Sequence, residues 1–125
     1  MSRASDAPPD PQDFLPLTPA IFHIVLALAG GERHGYGIMQ EIAASTQDQL
    51  HIGPGTLYRS LKQMLALGLI EEADERPDPA LDDERRRYYR LTDLGRRVAQ
   101  AEALRLQQLV AQAQAKQLLP GAQGV

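Results

Sequence analysis

The chain has 125 residues, 43% of them apolar, a formal net charge of −3 and no cysteine. That length suits one domain with a modest core, and the missing cysteines exclude a disulfide framework, a thiol nucleophile and a Cys-ligated zinc. No apolar run approaches the roughly 20 residues of a membrane span, and residues 1–17 lack the apolar stretch of a secretory leader, so a soluble cytoplasmic protein without membrane association is expected.

Residues 1–16 hold four of the nine prolines and little to bury, and they read as a flexible tail. Thr18-Pro19 marks a helix start, a hydroxyl N-cap followed by proline at the first helical position, where no N–H is needed. Ile21, Phe22, Ile24, Val25, Leu26 and Leu28 then cover every side, so this first helix is expected to be buried all round, with Gly30-Gly31 ending it. Tyr36, Ile38, Met39, Ile42 and Ala43 recur at helical spacing and predict a second helix over about 35–45. Pro54 and Gly55 open a third, which places Leu57, Leu61 and Met64 or Leu65 on one face and stops at Gly68. Three short helices in this order predict a helix-turn-helix core.

Residues 69–73 read as a strand and 85–91 as its partner, with a polar, proline-containing hairpin tip between them. The result is a winged helix, mainly α with a small β-hairpin wing. If Leu91 faces the core, strand parity turns Tyr89 and Arg87 inward and leaves Arg86, Tyr88 and Arg90 outside. Thr92 caps a final helix whose pattern runs to about Leu118, some 37 Å at about 1.5 Å per residue. Leu94, Val98 and Ala101 lie on one side of it, while Leu104, Leu106, Leu109, Val110 and Ala113 spread over more than one face. This surplus of apolar surface predicts homodimerisation through that helix; a single helix lying across its own domain is the alternative. The expected organisation is a tail over 1–16, a winged helix domain over 17–91, a long C-terminal dimerisation helix over 92–118 and a second tail over 119–125.

The charge is unevenly spread. Residues 71–84 contain eight acids and one arginine, whereas 85–97 contain six arginines and one aspartate. Phosphate binding responds to charge within a Debye length of about 8 Å, not to the total, so a basic face on an acidic protein is possible. The third helix supplies one: opposite its leucines stand Thr56, Arg59, Ser60, Lys62 and Gln63, donors suited to phosphates and base edges. A helix N-terminus adds unpaired N–H groups and a positive dipole end, and the Gly-Pro-Gly entry at 53–55 lets a DNA backbone come close. Polar faces are more often merely solvated, so the position of this one in the fold carries the inference.

The stretches HGYGIMQEI (34–42), GTLYRSLKQMLALGLIE (55–71) and RRRYYRLTDLGRR (85–97) together resemble the PadR family of bacterial transcriptional regulators, over roughly residues 17–118. The resemblance implies a winged helix-turn-helix repressor that dimerises through its last helix and puts the recognition helix in the major groove. The two-fold symmetry of such a homodimer predicts an inverted-repeat operator, and release by a small-molecule effector of unknown identity is left open. It also implies DNA contacts at Tyr58, Lys62, Thr56 and the wing arginines, with Tyr36 at the family's Gly-Tyr position. Two departures stand out. The hairpin tip is acidic, with Asp78, Asp82, Asp83 and Glu84, which places wing contact on Arg85, Arg86 and Arg87. The C-terminal helix is short for the family and suits its smaller type with a single C-terminal helix; since the chain has no tryptophan, the flat aromatic ligands that some relatives of that type hold between tryptophans are not carried over.

Enzyme readings find little support. His23, His34 and His51 form no spaced pair with a carboxylate that would suggest a metal or catalytic site. Gly53-Pro54-Gly55 lacks the lysine and spacing of a phosphate loop. No catalytic residue, metal or cofactor is expected. The stronger rival is a winged-helix protein-interaction module with little DNA affinity, which the overall acidity and acidic tip would suit.

Overall fold

The computed structural model of the chain describes residues 8–73 and 87–120. Four helices and a small sheet follow one another as α1 (Pro19–Ala29), β1 (Arg33–His34), α2 (Gly35–Ser45), α3 (Pro54–Leu67), β2 (Ile70–Ala73), β3 (Tyr88–Leu91) and α4 (Asp93–Ala115). This is the mainly α, winged helix architecture that the sequence predicts, with the long C-terminal helix in place.

The helix ends follow local chemistry. Thr18 Oγ1 accepts the Ile21 N–H at 3.2 Å to start α1, and Thr92 Oγ1 accepts the Gly95 N–H at 3.0 Å to start α4. His34 caps α2 through Nδ1, which accepts the Gly37 N–H at 2.9 Å. At the end of α3, Gly68 adopts a left-handed φ of 79°, so its N–H reaches Leu65 O at 3.1 Å and the Leu69 N–H reaches Met64 O at 3.0 Å. That closure satisfies carbonyls the helix would otherwise orphan and turns the chain straight into β2.

The sheet has the order β1-β3-β2, all antiparallel. Ile70 pairs with Leu91 and Glu72 with Tyr89, while Arg33 and His34 pair with Tyr89 and Tyr88 on the other side of β3. The two-residue β1 makes β3 the central strand. Below the sheet the core gathers Ile24, Val25 and Leu28 of α1, Ile38 and Ile42 of α2, Leu57, Leu61 and Met64 of α3, Leu69, Ile70 and Tyr89 of the sheet, and Val98 of α4. Each such side chain stabilises the fold by about 1.5–3 kcal/mol when fully buried.

Four expectations are corrected. α1 is not buried all round, because its outer side faces away from the domain and leaves Leu26 51% exposed. Residues 11–16, assigned to the tail, are structured: Pro11–Phe14 form a turn of 3-10 helix, N-capped by the Asp10 carboxylate. Phe14 and Leu15, with Leu17, pack against the core and give the segment the apolar anchor its prolines conceal. Arg87 shares the side of Tyr89 as parity requires, but it lies beyond the end of the core and is exposed. Ser60, placed on the polar face of α3, is buried; it is small enough to sit where the helix turns inward.

Candidate nucleic-acid interface

Gly53 caps α3 with no side chain to offer, so no side-chain cap bond forms there. Pro54 has no N–H, and the first intrahelical bond runs from the Leu57 N–H to Gly53 O at 3.0 Å. The amides of Gly55 and Thr56 therefore precede the hydrogen-bond ladder at the positive end of the helix dipole. Pro54, Gly55, Arg59, Lys62 and Gln63 are exposed along one face, and Thr56 is half-buried beside them. Arg59 Nη2 donates to Thr56 Oγ1 at 3.4 Å, which lays the guanidinium along the first turn.

Tyr58 occupies the flank of this face. Its ring packs against the core, and its hydroxyl stands where a Cβ on the buried Gly35 would be. The first turn of α2 is thereby seated on α3. The next residue, Tyr36, is exposed, with its ring 6.5 Å from that of His34, while the His34 ring meets Tyr88 edge-on at 5.1 Å.

Between α3 and the wing runs a cleft of about 300 Å³ lined by Tyr58, Leu61, Lys62, Leu65, Glu72, Arg87 and Tyr89. Lys62 and Arg87 put positive charge on this cleft from two elements; Arg87 Nη1 is 3.8 Å from Glu72 Oε2. Arg85 and Arg86, with the acidic tip, lie outside the described residues. Arg90 is differently placed. Its Nε donates to Glu71 at 2.8 Å and its Nη1 to Glu32 at 3.1 Å. These bonds, Glu71's first, raise its pKa above the usual arginine value. The outer face of the sheet is thus charge-compensated, whereas among the described residues no carboxylate pairs with Arg59 or Lys62 on α3.

The dimerisation candidates on α4 divide. Val98 is a core residue of its own chain, because it faces the domain in the second turn of α4, and Leu94 packs partly against the same core. Ala101, Leu106 and Ala113 are half-buried. Leu104 and Leu109 are exposed at 54% and 46%, and Val110 is exposed beside them. Sequence reasoning missed Glu102, whose carboxylate is 1% exposed. It accepts Arg105 Nε at 2.6 Å and the Leu17 N–H at 3.0 Å. Its sequence signal, an acid three residues before an arginine, is the ordinary mark of a solvated helix face.

Among the described residues no cluster of histidines and carboxylates could hold a metal ion, and no helix is long and apolar enough to cross a membrane. The sequence model of the transcriptional regulator PadR-like family matches residues 24–101, more than half of the chain. The chain belongs to this family. No curated protein gives a significant sequence match. Among solved structures, a transcriptional regulator from Clostridium thermocellum is 21% identical, with a TM-score of 0.63 over 93% of this chain and 96% of that one. A PadR family regulator from Clostridium difficile is 23% identical, with a TM-score of 0.60 over 82% of this chain and all of the other. Bacillus subtilis PadR, solved in complex with operator DNA, is 22% identical, with a TM-score of 0.58; the match covers 69% of this chain and 47% of that one. These solved structures share the fold, and the matched family is one of transcriptional regulators rather than of enzymes.

Proposed function

We propose that this PadR-like regulator is a repressor that binds an inverted-repeat DNA operator as a homodimer, reading each half-site with α3. The observation that carries the reading is the exposed face of α3: an uncapped N-terminus followed by Arg59, Lys62 and Gln63, with Arg87 of the wing across the cleft. Donors on a protruding helix that has already committed its leucines to the core suit phosphates and base edges. Pro54, Gly55 and Thr56 meet the backbone, Tyr58 and Tyr36 flank the groove, and Arg85, Arg86 and Arg87 serve the wing. The solved complex of Bacillus subtilis PadR with operator DNA supports this direction.

For the homodimer, the support is that Leu104, Leu109 and Val110 stay exposed on a helix that extends past its own domain. Two-fold symmetry then implies half-sites one helical turn apart or a multiple of it. Release by a small-molecule effector would use the cleft of about 300 Å³ lined by Leu17, Pro19, Phe22, His23, Glu102, Arg105 and Leu106, apolar walls with a few convergent polar groups.

Fluorescence anisotropy against the duplex upstream of the gene, with random DNA as control over a salt series, tests the reading. Tight, salt-sensitive preference for the upstream duplex is expected. Lys62→Ala or Arg59→Ala should cost about 1–3 kcal/mol if the residue reads a base, or flatten the salt slope by about one unit if it touches phosphate. Slight affinity that neither substitution changes would favour the protein-interaction module instead.

A further inference from the structure

α4 is a rod held at two places. At its start, Thr92 Oγ1 donates to Gly68 O at 2.6 Å and the Thr92 N–H to Leu69 O at 3.1 Å. Gly95 lies so close to the Leu69 carbonyl that a Cβ has no room. The second hold is Glu102, the one buried carboxylate among the described residues. Its Oε1 accepts Arg105 Nε at 2.6 Å, and its Oε2 accepts Arg105 Nη2 at 3.0 Å and the Leu17 N–H at 3.0 Å. Leu17 precedes Thr18, the N-cap of α1. The carboxylate thus grips backbone at the entry to α1, near the positive end of that helix. His23 of α1 and Arg105 share its cleft. Beyond Arg105 the rod carries exposed Leu109 and Val110.

We infer that Glu102 is a positioning residue: through Leu17 it sets the direction of α4 against the recognition helix, and with it the half-site spacing that the dimer accepts. The inference rests on the dimeric DNA-reading function proposed above. From Gly95 to Glu102 the rod spans about 10 Å, and from Gly95 to the end of α4 about 30 Å, at about 1.5 Å per residue. A shift of about 1 Å at the second hold therefore becomes about 3 Å at the far end. One base pair rises about 3.4 Å, so a loosened Glu102 blurs spacing by about one base pair. The surfaces of α3 that meet each half-site are untouched.

Selection from a randomised duplex pool, run with the full chain and with Glu102→Gln, tests this. The wild type should enrich an inverted repeat with one spacing and lose about tenfold in affinity when one base pair is inserted between the half-sites, the order of a mismatch. Glu102→Gln should enrich the same half-site over neighbouring spacings, with a loss below about threefold for the same insertion. A merely structural ion pair would lower affinity for every spacing alike. Should Glu102→Gln fail to melt cooperatively, Arg105→Gln at a half-exposed position is judged by the same measure. Equal restriction to one spacing in wild type and folded variant overturns the inference and leaves the DNA-reading function standing. A wild type that enriches no sequence overturns both.

Discussion

α3 and α4 each have one sealed end and one open end, and the ends are opposite. α3 starts on Gly53 with no side-chain cap and finishes on the left-handed Gly68. α4 starts on the Thr92 cap, backed onto the Leu69 carbonyl, and its distal half carries exposed leucines. α3 spends its Leu57, Leu61 and Met64 on the core and leaves donors and a positive dipole end over. α4 buries Val98 and then has more apolar residues than its domain can cover. Partner chemistry is thus legible in what each helix has left after folding: the leftovers of α3 suit a polyanion, those of α4 another apolar surface.

The comparison breaks most easily at the sealed end of α4. Gly95→Ala pushes a Cβ into the Leu69 carbonyl, backbone that cannot swing aside, and should cost about 3 kcal/mol, read as a lower urea midpoint with unchanged slope. Glu102→Gln should cost about 2 kcal/mol at neutral pH, the scale of hydrogen bonds to a charged group. The bonds from Arg105 hold the Glu102 carboxyl below its usual range; burial opposes them and the Leu17 N–H assists. Its folded pKa is therefore below the unfolded value of about 4.3. The carboxylate's contribution is full above that value and is lost as pH falls through the folded pKa. The gap between wild type and Glu102→Gln should close below about pH 4, and a gap constant with pH would contradict the account.

Two smaller changes sharpen the contrast. Leu109→Glu should leave chemical stability within about 0.5 kcal/mol yet weaken self-association at least about tenfold, or 1.4 kcal/mol, by sedimentation. Gly53→Ser gives α3 the kind of cap α4 has, at a position whose extended backbone and open surroundings accept a side chain. It should raise stability by a few tenths of a kcal/mol, measured by thermal melting.

The sequence was most legible where structure is local. Thr18-Pro19, Gly68 and Thr92 each punctuate a helix through groups within a few residues, and all three stand where expected. It was least legible where burial depends on distant partners. β1 is two residues long and exists because β3 lies beside it, so no alternation announced it. Phe14 and Leu15 are hidden among prolines, in a segment whose turn meets the distant α4. Glu102 resembles a solvated acid until Leu17 arrives. Arg87 shows a parity rule carried past the end of the core. Of the α3 face, Arg59, Lys62 and Gln63 stand outside as the helical period requires, and Ser60 does not.

The Leu17–Glu102 bond joins positions 85 residues apart. On a ribosome adding roughly 5–20 residues per second, Leu17 emerges about 4 to 17 s before the carboxylate that fastens it. By the end of that interval the helices and core leucines of the winged helix have been made, and only then can Glu102 give α4 its second hold. α4 is fastened only after the winged helix it lies against has been made.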